Sequence, residues 1–509
     1  MSSRSLFSLS LFLFSCASSG GDRPPQAITA DIWIRGGTVV DGSGGPAVRA
    51  DVFVQGDSTL FVGMPPEGAT ALDTIDAAGL VVTPGFIDPH AHGDPFKTPR
   101  FENFLAMGVT TICLGQDGFS PETENLGEWM ASADTLPLGP NIAMFTGHST
   151  LRRLSGIDFD PDPSEEAVGE MEELLESAVY AGAFGMTTGL EYTPGTYANQ
   201  KELERLAKVV GRHNGLIMSH MRTEQDETME DDLAELFAQG RHASVHVSHM
   251  KVVFGEGEGR AEEVLHLMAE QRDIFPKFTV TADVYPYMAS YTTVGILFPE
   301  WAKPPNDYEE VRSERRGELL TYVRDLVKKR NGPEATLFGT EPYKGKTLAE
   351  VAAEMEILFE ELLVDSIGPA GASAAYFTMD RELQERFIVD PYVMISSDGS
   401  PTMHHPRGHG AFAKVIREYV VEDSLLTLEE AIRKMTSLPA QTVELEKRGR
   451  IRQGYKADLL MFDPTKVKDN ATFAEPHLPA TGFETVIVNG RMAGPSSDLS
   501  SGKVLRRRP

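Results

Sequence analysis

Two histidines one residue apart, His90 and His92, directly follow a short apolar run and are the first residues that could do chemistry. The run at residues 80–87 predicts a buried strand. In a strand, the side chains of residues i and i+2 point to the same face, so both imidazoles can reach one metal ion. Because His-x-His alone is a weak signal, a polar turn after a strand is the simpler interpretation until other ligands are found.

More residues of ligand type follow later predicted strands, each where the strand ends: Glu191, His220, His249 and Asp398. Together with the first two histidines they offer imidazoles and carboxylates, a set that suits zinc. These are too many ligands for one tetrahedral ion with an open position. We therefore predict two zinc ions that share a bridging carboxylate.

The chemistry expected of such a centre is hydrolysis of an amide-like bond. Zinc lowers the pKa of a bound water toward ~7, which makes hydroxide available at neutral pH. We expect this hydroxide to attack a carbonyl carbon, while Asp398 takes up the proton as general base and returns it to the leaving nitrogen as general acid.

The elements that position these residues alternate regularly. From Phe86 onward, apolar runs are separated mostly by helical patterns, which predicts an α/β protein with a (β/α)8 TIM barrel over residues 84–444. The ligand-type residues gather at the carboxyl ends of the predicted strands. That is the face on which such a barrel has its active site.

Two parts of the chain do not fit this alternation. Residues 290–390 separate the last two barrel strands and carry helical patterns, which predicts a lid subdomain over the barrel mouth. Residues 28–83 and 445–505, near the two chain ends, show the alternation of apolar and polar residues that is typical of strands. We expect them to form one small β-sandwich together.

The amino-terminal residues resemble an export signal. Residues 1–16 contain Arg4, an apolar stretch too short to span a membrane, and Leu13-Phe14-Ser15-Cys16, which resembles a bacterial lipobox. The prediction is an exported bacterial protein, periplasmic or membrane-anchored through a lipid on Cys16, with residues 17–27 as a flexible tether. Plain secretion with cleavage nearby is the alternative.

Composition narrows the range of partners. The formal net charge of −28 argues against nucleic-acid binding, which needs a basic surface, and leaves the lipid anchor as the expected contact with a membrane. The chain has two cysteines and so no disulfide framework. Cys113 lies inside an apolar run and is expected to be a small buried hydrophobic residue.

Several motifs together resemble the amidohydrolase superfamily and, more narrowly, the N-acyl-D-amino-acid deacylase (D-aminoacylase) family. The resemblance covers most of the chain from about Ile32 to Met492 and implies a β-sandwich joined to a metal-bearing barrel. The motifs include Phe86-Ile87-Asp88-Pro89-His90-Ala91-His92, Gly147-His148-Ser149-Thr150-Leu151-Arg152, Gly189-Leu190-Glu191-Tyr192-Thr193-Pro194-Gly195, Ser219-His220-Met221-Arg222-Thr223-Glu224, Ser248-His249-Met250-Lys251, Ser397-Asp398-Gly399 and His405-Pro406-Arg407-Gly408-His409-Gly410-Ala411-Phe412.

One motif departs from the family pattern. Members of the deacylase type usually have Asn-Cys-Gly-Phe-Ser after the second barrel strand, with the cysteine as a metal ligand, but here the stretch is Gln116-Asp117-Gly118-Phe119-Ser120. Our prediction is that Glu191, at the end of the fourth strand, has become the bridging ligand. Asp117 is the competitor, although an aspartate before a glycine is also a common turn residue.

The chain also offers residues that could bind a substrate. Lys251 continues the face of His249 if the strand continues, and the resemblance implies that it binds a carboxylate; Arg222 and Arg407 could share this role. Tyr192 and Tyr285 could hydrogen-bond the scissile group or simply pack at the barrel mouth. His148 ends the third predicted strand and could orient a metal ligand.

The resemblance implies deacylation of N-acyl-D-amino acids, or of D-configured dipeptides, and therefore a small substrate with a free carboxylate. Three other amidohydrolase activities remain open: a cyclic-amide hydrolase, an isoaspartyl-type dipeptidase and a hydrolase of an N-acyl-amino-acid toxin. A non-catalytic metal-bearing surface scaffold is the alternative from another class. It is disfavoured because the chain keeps the histidines and the aspartate that catalytically inactive relatives lose.

Overall fold

A computed structural model of the protein describes residues 28–494 and 500–508. The predicted signal peptide, Cys16 and the tether at residues 17–27 lie outside this range. Within it, no helix combines the length and the apolar character needed to cross a bilayer. Cys113 is buried with a free thiol, as expected from its apolar surroundings.

The strands alternate with helices through the middle of the chain. In chain order the strands are β1 (Thr29–Val39), β2 (Val48–Gln55), β3 (Ser58–Gly63), β4 (Thr70–Asp76), β5 (Val81–Pro84), β6 (Phe86–Asp88), β7 (Val109–Leu114), β8 (Asn141–Met144), β9 (Thr146–Gly147), β10 (Gly185–Gly189), β11 (Leu216–His220), β12 (Ser244–Val247), β13 (Val280–Val284), β14 (Ser290–Thr293), β15 (Thr336–Phe338), β16 (Ser373–Tyr376), β17 (Val393–Ile395), β18 (Leu459–Phe462), β19 (Phe483–Val488) and β20 (Arg491–Met492).

The α-helices vary in length, from Phe359–Glu361 to Tyr308–Lys329. They are α1 (Glu102–Ala106), α2 (Leu126–Ala133), α3 (His148–Leu154), α4 (Glu165–Tyr180), α5 (Gln200–Arg212), α6 (Met229–Gln239), α7 (Gly257–Ile274), α8 (Tyr308–Lys329), α9 (Leu348–Glu354), α10 (Phe359–Glu361), α11 (Arg381–Val389), α12 (Arg407–Lys414), α13 (Leu428–Met435) and α14 (Ser437–Thr442).

The barrel consists of parallel strands in the order β6, β7, β8 with its continuation β9, β10, β11, β12, β13 and β17. It closes between the first and last of these strands, where the amide of Asp398 donates to the carbonyl of His90 and the amide of His92 donates to that of Gly399. The predicted (β/α)8 barrel is therefore confirmed, and its closure brings residues from both halves of the chain to one mouth.

The surrounding helices form where local sequence favours them. Helix α4 begins after Ser164, whose side chain accepts a hydrogen bond from the amide of Ala167, which leaves one fewer unpaired donor at the helix start. Its apolar residues Met171, Leu175 and Val179 recur at helical spacing and are buried in the barrel core. Burial of this stripe holds the helix against the strands.

Both chain ends contribute to a β-domain beside the barrel. Its strands form one connected sheet in the order β20-β19-β18-β5-β1-β2-β3, with β4 also paired to β1. Ile34, Val52, Leu459 and Ile487, from opposite parts of this order, share one apolar core, so the sheet curves around that core instead of forming two separate sheets. The tail departs from the predicted domain range, because Lys503 accepts a hydrogen bond from the amide of Ile142 in the barrel.

The long insertion has its own core. Strands β14, β15 and β16 form an antiparallel sheet, and α8 packs its buried residues Leu319 and Val323 together with Phe338. This core ends at Tyr376, earlier than the predicted boundary at residue 390, because Phe387 and its neighbours in α11 belong to the barrel core. The insertion therefore forms one wall of the barrel mouth.

Candidate metal centre

The carboxyl ends of the barrel strands surround a cavity of about 1070 Å³. Residues of the insertion, among them Tyr291, Ile296 and Arg330, complete its wall. A cavity this large is at the upper end of the usual range for small-molecule sites. The predicted ligands gather at its base.

The first ligand group consists of His90, His92, Asp117 and Asp398, whose ligand atoms lie within 4.8 Å of one another. Nε2 of His92 is 3.1 Å from Oδ1 of Asp398 and 3.4 Å from Oδ2 of Asp117. Nε2 of His90 is 3.2 Å from Oδ1 of Asp117. The two histidines predicted from β6 therefore meet a carboxylate from each of two other strand ends.

The second group consists of His220, His249 and again Asp117. Nδ1 of His220 is 2.9 Å from Nε2 of His249, and Oδ1 of Asp117 is 3.3 Å from the same His249 nitrogen. Asp117 is thus the carboxylate that both groups share. Its backbone is in the left-handed region with φ of 53°, and a residue without a β-branch tolerates this conformation best.

Glu191 occupies a different position from the one predicted. Its Oε2 lies 3.1 Å from Nε2 of His220, and it forms a third group with His220 and Glu224 at the edge of the centre. Within the described residues it belongs to no group that contains His90 or His92. This disagrees with the prediction that Glu191 bridges the two ions and favours the alternative, Asp117.

The donor set fits zinc. Tetrahedral zinc with bonds of about 2.1 Å separates its ligand atoms by roughly 3.4 Å, close to the spacings between these nitrogens and oxygens. His90 is fully buried, yet neither of its ring nitrogens has a hydrogen-bond partner in the described structure. Nε2 lies 3.2 Å from Asp117 but not in hydrogen-bond geometry. A buried imidazole without a hydrogen bond is unfavourable unless it ligates an ion, so His90 is best explained as a metal ligand.

The electrostatics also favour a cation. Burial opposes protonation of His92, but the carboxylates of Asp117 and Asp398 outweigh it and raise the pKa of His92 to about 9. In His249, burial and Lys251 lower the pKa, whereas the surrounding carboxylates raise it to about 10. Both imidazoles therefore retain a proton at neutral pH unless another positive charge replaces it, which a metal ion does when it binds.

Asp398 contacts the metal-ligand candidate His92 through one carboxylate oxygen and the guanidinium of Arg407 through the other. Nη1 of Arg407 lies 2.9 Å from its Oδ2. Burial raises the pKa of Asp398, but Arg407 and the nearby histidines dominate and hold this pKa well below its usual range. The carboxylate is therefore ionised at neutral pH and able to accept a proton.

Buried carboxylates form hydrogen bonds with the backbone at or next to the metal ligands. The carboxylate of Asp283 accepts a hydrogen bond from the backbone amide of His249, and its Oδ2 lies 2.6 Å from Nε2 of His246. The backbone carbonyl of Asp283 accepts a second one from the amide of Met250. Asp88 accepts a hydrogen bond from the backbone amide of Ser397 at 3.1 Å, which ties β6 to the chain just after β17. The sequence signal for Asp88 was its place within the motif around His90, but its role was not predicted.

Lys251 lies at the centre, as predicted, but is already paired. Its Nζ donates to both carboxylate oxygens of Glu224, at 2.7 and 2.8 Å, and lies 2.8 Å from Nδ1 of His249. All three residues are buried. Glu224 was missed as a site residue, although it stands in the same motif as His220.

Both predicted tyrosines line the cavity. The ring of Tyr192 lies 4.5 Å from that of His220, and the ring of Tyr285 packs beneath the guanidinium of Arg407 at 4.7 Å. Lys251 also lies over the Tyr285 ring, at 5.9 Å. Tyr285 therefore lies against two cations that line the cavity.

The structure contradicts the roles predicted for Arg222 and His148. Arg222 does not line the cavity; its guanidinium binds Glu235 and the carbonyls of Thr196 and Ala198. Strand β11 ends at His220, so the rule that residues i and i+2 share a face no longer applies at Arg222.

His148 was predicted to orient a metal ligand, and it does not. It begins helix α3, and its Nε2 lies 2.7 Å from Glu202, which also binds Arg152. His148 therefore belongs to a buried ion-pair cluster outside the cavity and contacts no metal ligand.

Comparison with known proteins agrees with the architecture. Residues 348–493 match the sequence model of the Amidohydrolase family. N-acyl-D-glutamate deacylase of Alcaligenes xylosoxydans xylosoxydans is 34% identical over 94% of this chain and 96% of its own. D-aminoacylase of the same organism is 32% identical over 90% of this chain and 93% of its own.

A solved structure of a deacylase shows the same fold along nearly the whole chain. N-acyl-D-glutamate deacylase from Bordetella bronchiseptica, in complex with zinc and a phosphonate inhibitor, superposes with a TM-score of 0.81 at 31% identity, covering 94% of this chain and all of that one. The resemblance noted in the motifs is thereby confirmed over the length of the fold. The chain belongs to the N-acyl-D-amino-acid deacylase (D-aminoacylase) family of the amidohydrolases.

Proposed function

We propose that this protein hydrolyses the amide bond of N-acyl-D-amino acids with two zinc ions. The observation that carries the proposal is the position of Asp117 between two pairs of histidines at the base of a large cavity. The likeness to deacylases over nearly the whole chain supports the substrate class.

The residues divide naturally between two ions. His90, His92 and Asp398 would hold one, and His220 and His249 the other, with Asp117 shared. When bound, zinc polarises a carbonyl and makes hydroxide available at neutral pH. The group of His220, His249 and Asp117 supplies three ligands, so it would leave one tetrahedral position for a substrate oxygen.

Asp398 is the residue that moves the proton. Arg407 keeps its carboxylate ionised, so it can take a proton during attack on the amide carbon. The same carboxyl then returns the proton to the leaving nitrogen. An amine leaves far more readily once it is protonated.

The free carboxylate of the substrate would bind near Tyr285. Lys251 and Arg407 lie against this ring, and both adjoin the ligand groups. Both cations also contact metal-ligand candidates, Lys251 through His249 and Arg407 through Asp398, so a carboxylate bound there would lie beside the metal centre. Since Glu224 and Asp398 pair these cations, the substrate carboxylate would share them with those residues.

The test uses the mature protein loaded with zinc and compares N-acetyl-D-amino acids with their L-enantiomers. We expect two zinc ions per chain by elemental analysis and turnover of the D series. His90→Ala, which removes a ligand, should lower both zinc content and turnover, whereas Arg222→Gln outside the cavity should keep the zinc. Full zinc content with no turnover of either series would contradict the proposed substrate.

We also propose that the protein is exported and anchored to a membrane by a lipid on Cys16. Support comes from the sequence of residues 1–16 alone. In a bacterial host the full chain should fractionate with membranes and incorporate labelled fatty acid, and Cys16→Ser should abolish both. Incorporation of label into the Cys16→Ser variant would contradict the anchor.

A further inference from the structure

Most cations that line the cavity already have an anionic partner. Lys251 binds Glu224, Arg407 binds Asp398, and Nζ of Lys303 lies 2.5 Å from Glu300. Arg330 differs from them. Among the residues that the structure describes, no carboxylate lies within 4.0 Å of its guanidinium, although it lines the same cavity.

Arg330 is also deeply buried. Only 6% of its surface is exposed, and its Nε has no hydrogen-bond acceptor. Its guanidinium packs over the ring of Tyr376 at 5.1 Å, which fixes its plane without neutralising its charge. Burial without an anion is costly for a charged group, so a ligand that supplies an anion would offset this cost.

The position of Arg330 separates it from the cations near Tyr285. It follows helix α8 and lies on the wall formed by the insertion, whereas Lys251 and Arg407 follow barrel strands β12 and β17. The carboxylates that act on it electrostatically, Glu191 and Glu224, already have closer partners in His220 and Lys251. Its charge is therefore available to a molecule in the cavity.

We propose that Arg330 binds a second carboxylate of the substrate, in addition to the α-carboxylate held near Tyr285. The guanidinium presents a planar pair of donors that matches a carboxylate in two parallel hydrogen bonds. This inference rests on the proposed function. The second carboxylate belongs either to an acidic amino-acid side chain or to the far end of a dicarboxylic acyl group.

The experiment compares three substrates of zinc-loaded enzyme: N-acetyl-D-glutamate, N-succinyl-D-leucine and N-acetyl-D-leucine. The wild type should prefer one of the first two over the third. Arg330→Gln should lower kcat/KM for that preferred substrate roughly 10- to 100-fold, the loss expected when a hydrogen bond to a charged group is removed. Its effect on N-acetyl-D-leucine should stay within about twofold. Which dicarboxylic substrate is affected identifies the source of the second carboxylate.

Lys328→Gln is the matched control, because it removes an exposed positive charge from the last turn of helix α8, just before Arg330. It should change none of the three rates. Thermal unfolding separates binding from a structural role: Arg330→Gln should melt at the same temperature as the wild type or higher, since a buried unpaired charge is removed.

Two results would overturn the inference. If Arg330→Gln lowers all three rates equally, or leaves the preference unchanged while N-acetyl-D-leucine is still hydrolysed, Arg330 does not select a second carboxylate although the deacylase function stands. If the wild type with full zinc hydrolyses none of the three, the proposed function fails together with this inference.

Discussion

At position 117 a carboxylate occupies the place between two pairs of imidazoles. Its two oxygens approach His90 and His92 on one side, and one of them also approaches His249 on the other. A carboxylate is a harder ligand than the thiolate usual in this family, so it binds zinc with less covalency. The negative charge needed to hold two cations close together is nevertheless preserved.

Asp117→Asn should therefore reduce the zinc content from two ions per chain toward one or none. The amide keeps the size of the side chain but lacks the negative charge, and kcat should fall at least about 100-fold because the metal contributes several kcal/mol to transition-state stabilisation. Elemental analysis and steady-state rates on the same preparations measure both effects.

Glu191→Gln provides the matched comparison, since it removes an equal charge at the edge of the centre. We expect it to retain both ions. Loss of zinc from Glu191→Gln together with full zinc in Asp117→Asn would restore Glu191 as the bridge.

A second prediction concerns the acid limb of the pH profile. Arg407 holds the pKa of Asp398 below its usual range, so the carboxylate stays ionised as the pH falls. Arg407→Met removes this cation, the pKa of Asp398 rises, and the pH at which kcat/KM begins to fall on the acid side should move upward. An acid limb at the same pH as in the wild type, whatever the absolute rate, would show that Asp398 is not the group that titrates.

The barrel strand ends and the insertion position different parts of the site. The barrel strands place the metal ligands, and the insertion with α8 and β14–β16 places the far wall of the cavity. The two parts have separate apolar cores. Loosening the insertion should therefore change substrate binding without disturbing the metal centre.

Leu319→Ala tests this separation. Leu319 is fully buried in the insertion core, and truncating such a leucine costs about 2–5 kcal/mol. We expect KM to rise several-fold because the cavity wall loses its rigid support, while zinc per chain remains at the wild-type value. A fall in zinc content would mean that the two cores are not independent.

Apolar cores extend through the whole molecule, and we expect them to hold the fold together without the metal. One apolar core contains residues of barrel strand β6 and of the β-domain strands β18 and β19. The β-domain is therefore packed against the barrel. The metal ligands, in contrast, lie at the open end of the barrel. Metal removal should leave this packing intact.

Dialysis against a zinc chelator should abolish turnover while the far-UV circular dichroism spectrum remains that of the native protein. The melting temperature should fall, because a ligand that binds only the folded state stabilises it by mass action. Restoring zinc should recover the rate. Loss of the native spectrum on chelation would show instead that the metal is required for folding.

Local patterns in the sequence were sufficient for the barrel and for most of the ligands. Apolar runs that end in His90, His220, His249 and Asp398 needed only strand periodicity, since parallel strands of a barrel bring their carboxyl ends to one face. The export signal also rests on local sequence and stays a prediction.

Three features depended on tertiary structure. They are the identity of the bridging carboxylate, the direction of polar side chains beyond the strand ends, and the cationic site at Arg330. Asp117 and Glu191 both follow strands, and only the closed barrel with the left-handed turn at Asp117 puts one of them between the histidines. Arg222 turned outward because β11 had already ended. Arg330 lies far along the chain from any barrel strand, and no local pattern could show that folding of the insertion buries its charge at the cavity wall.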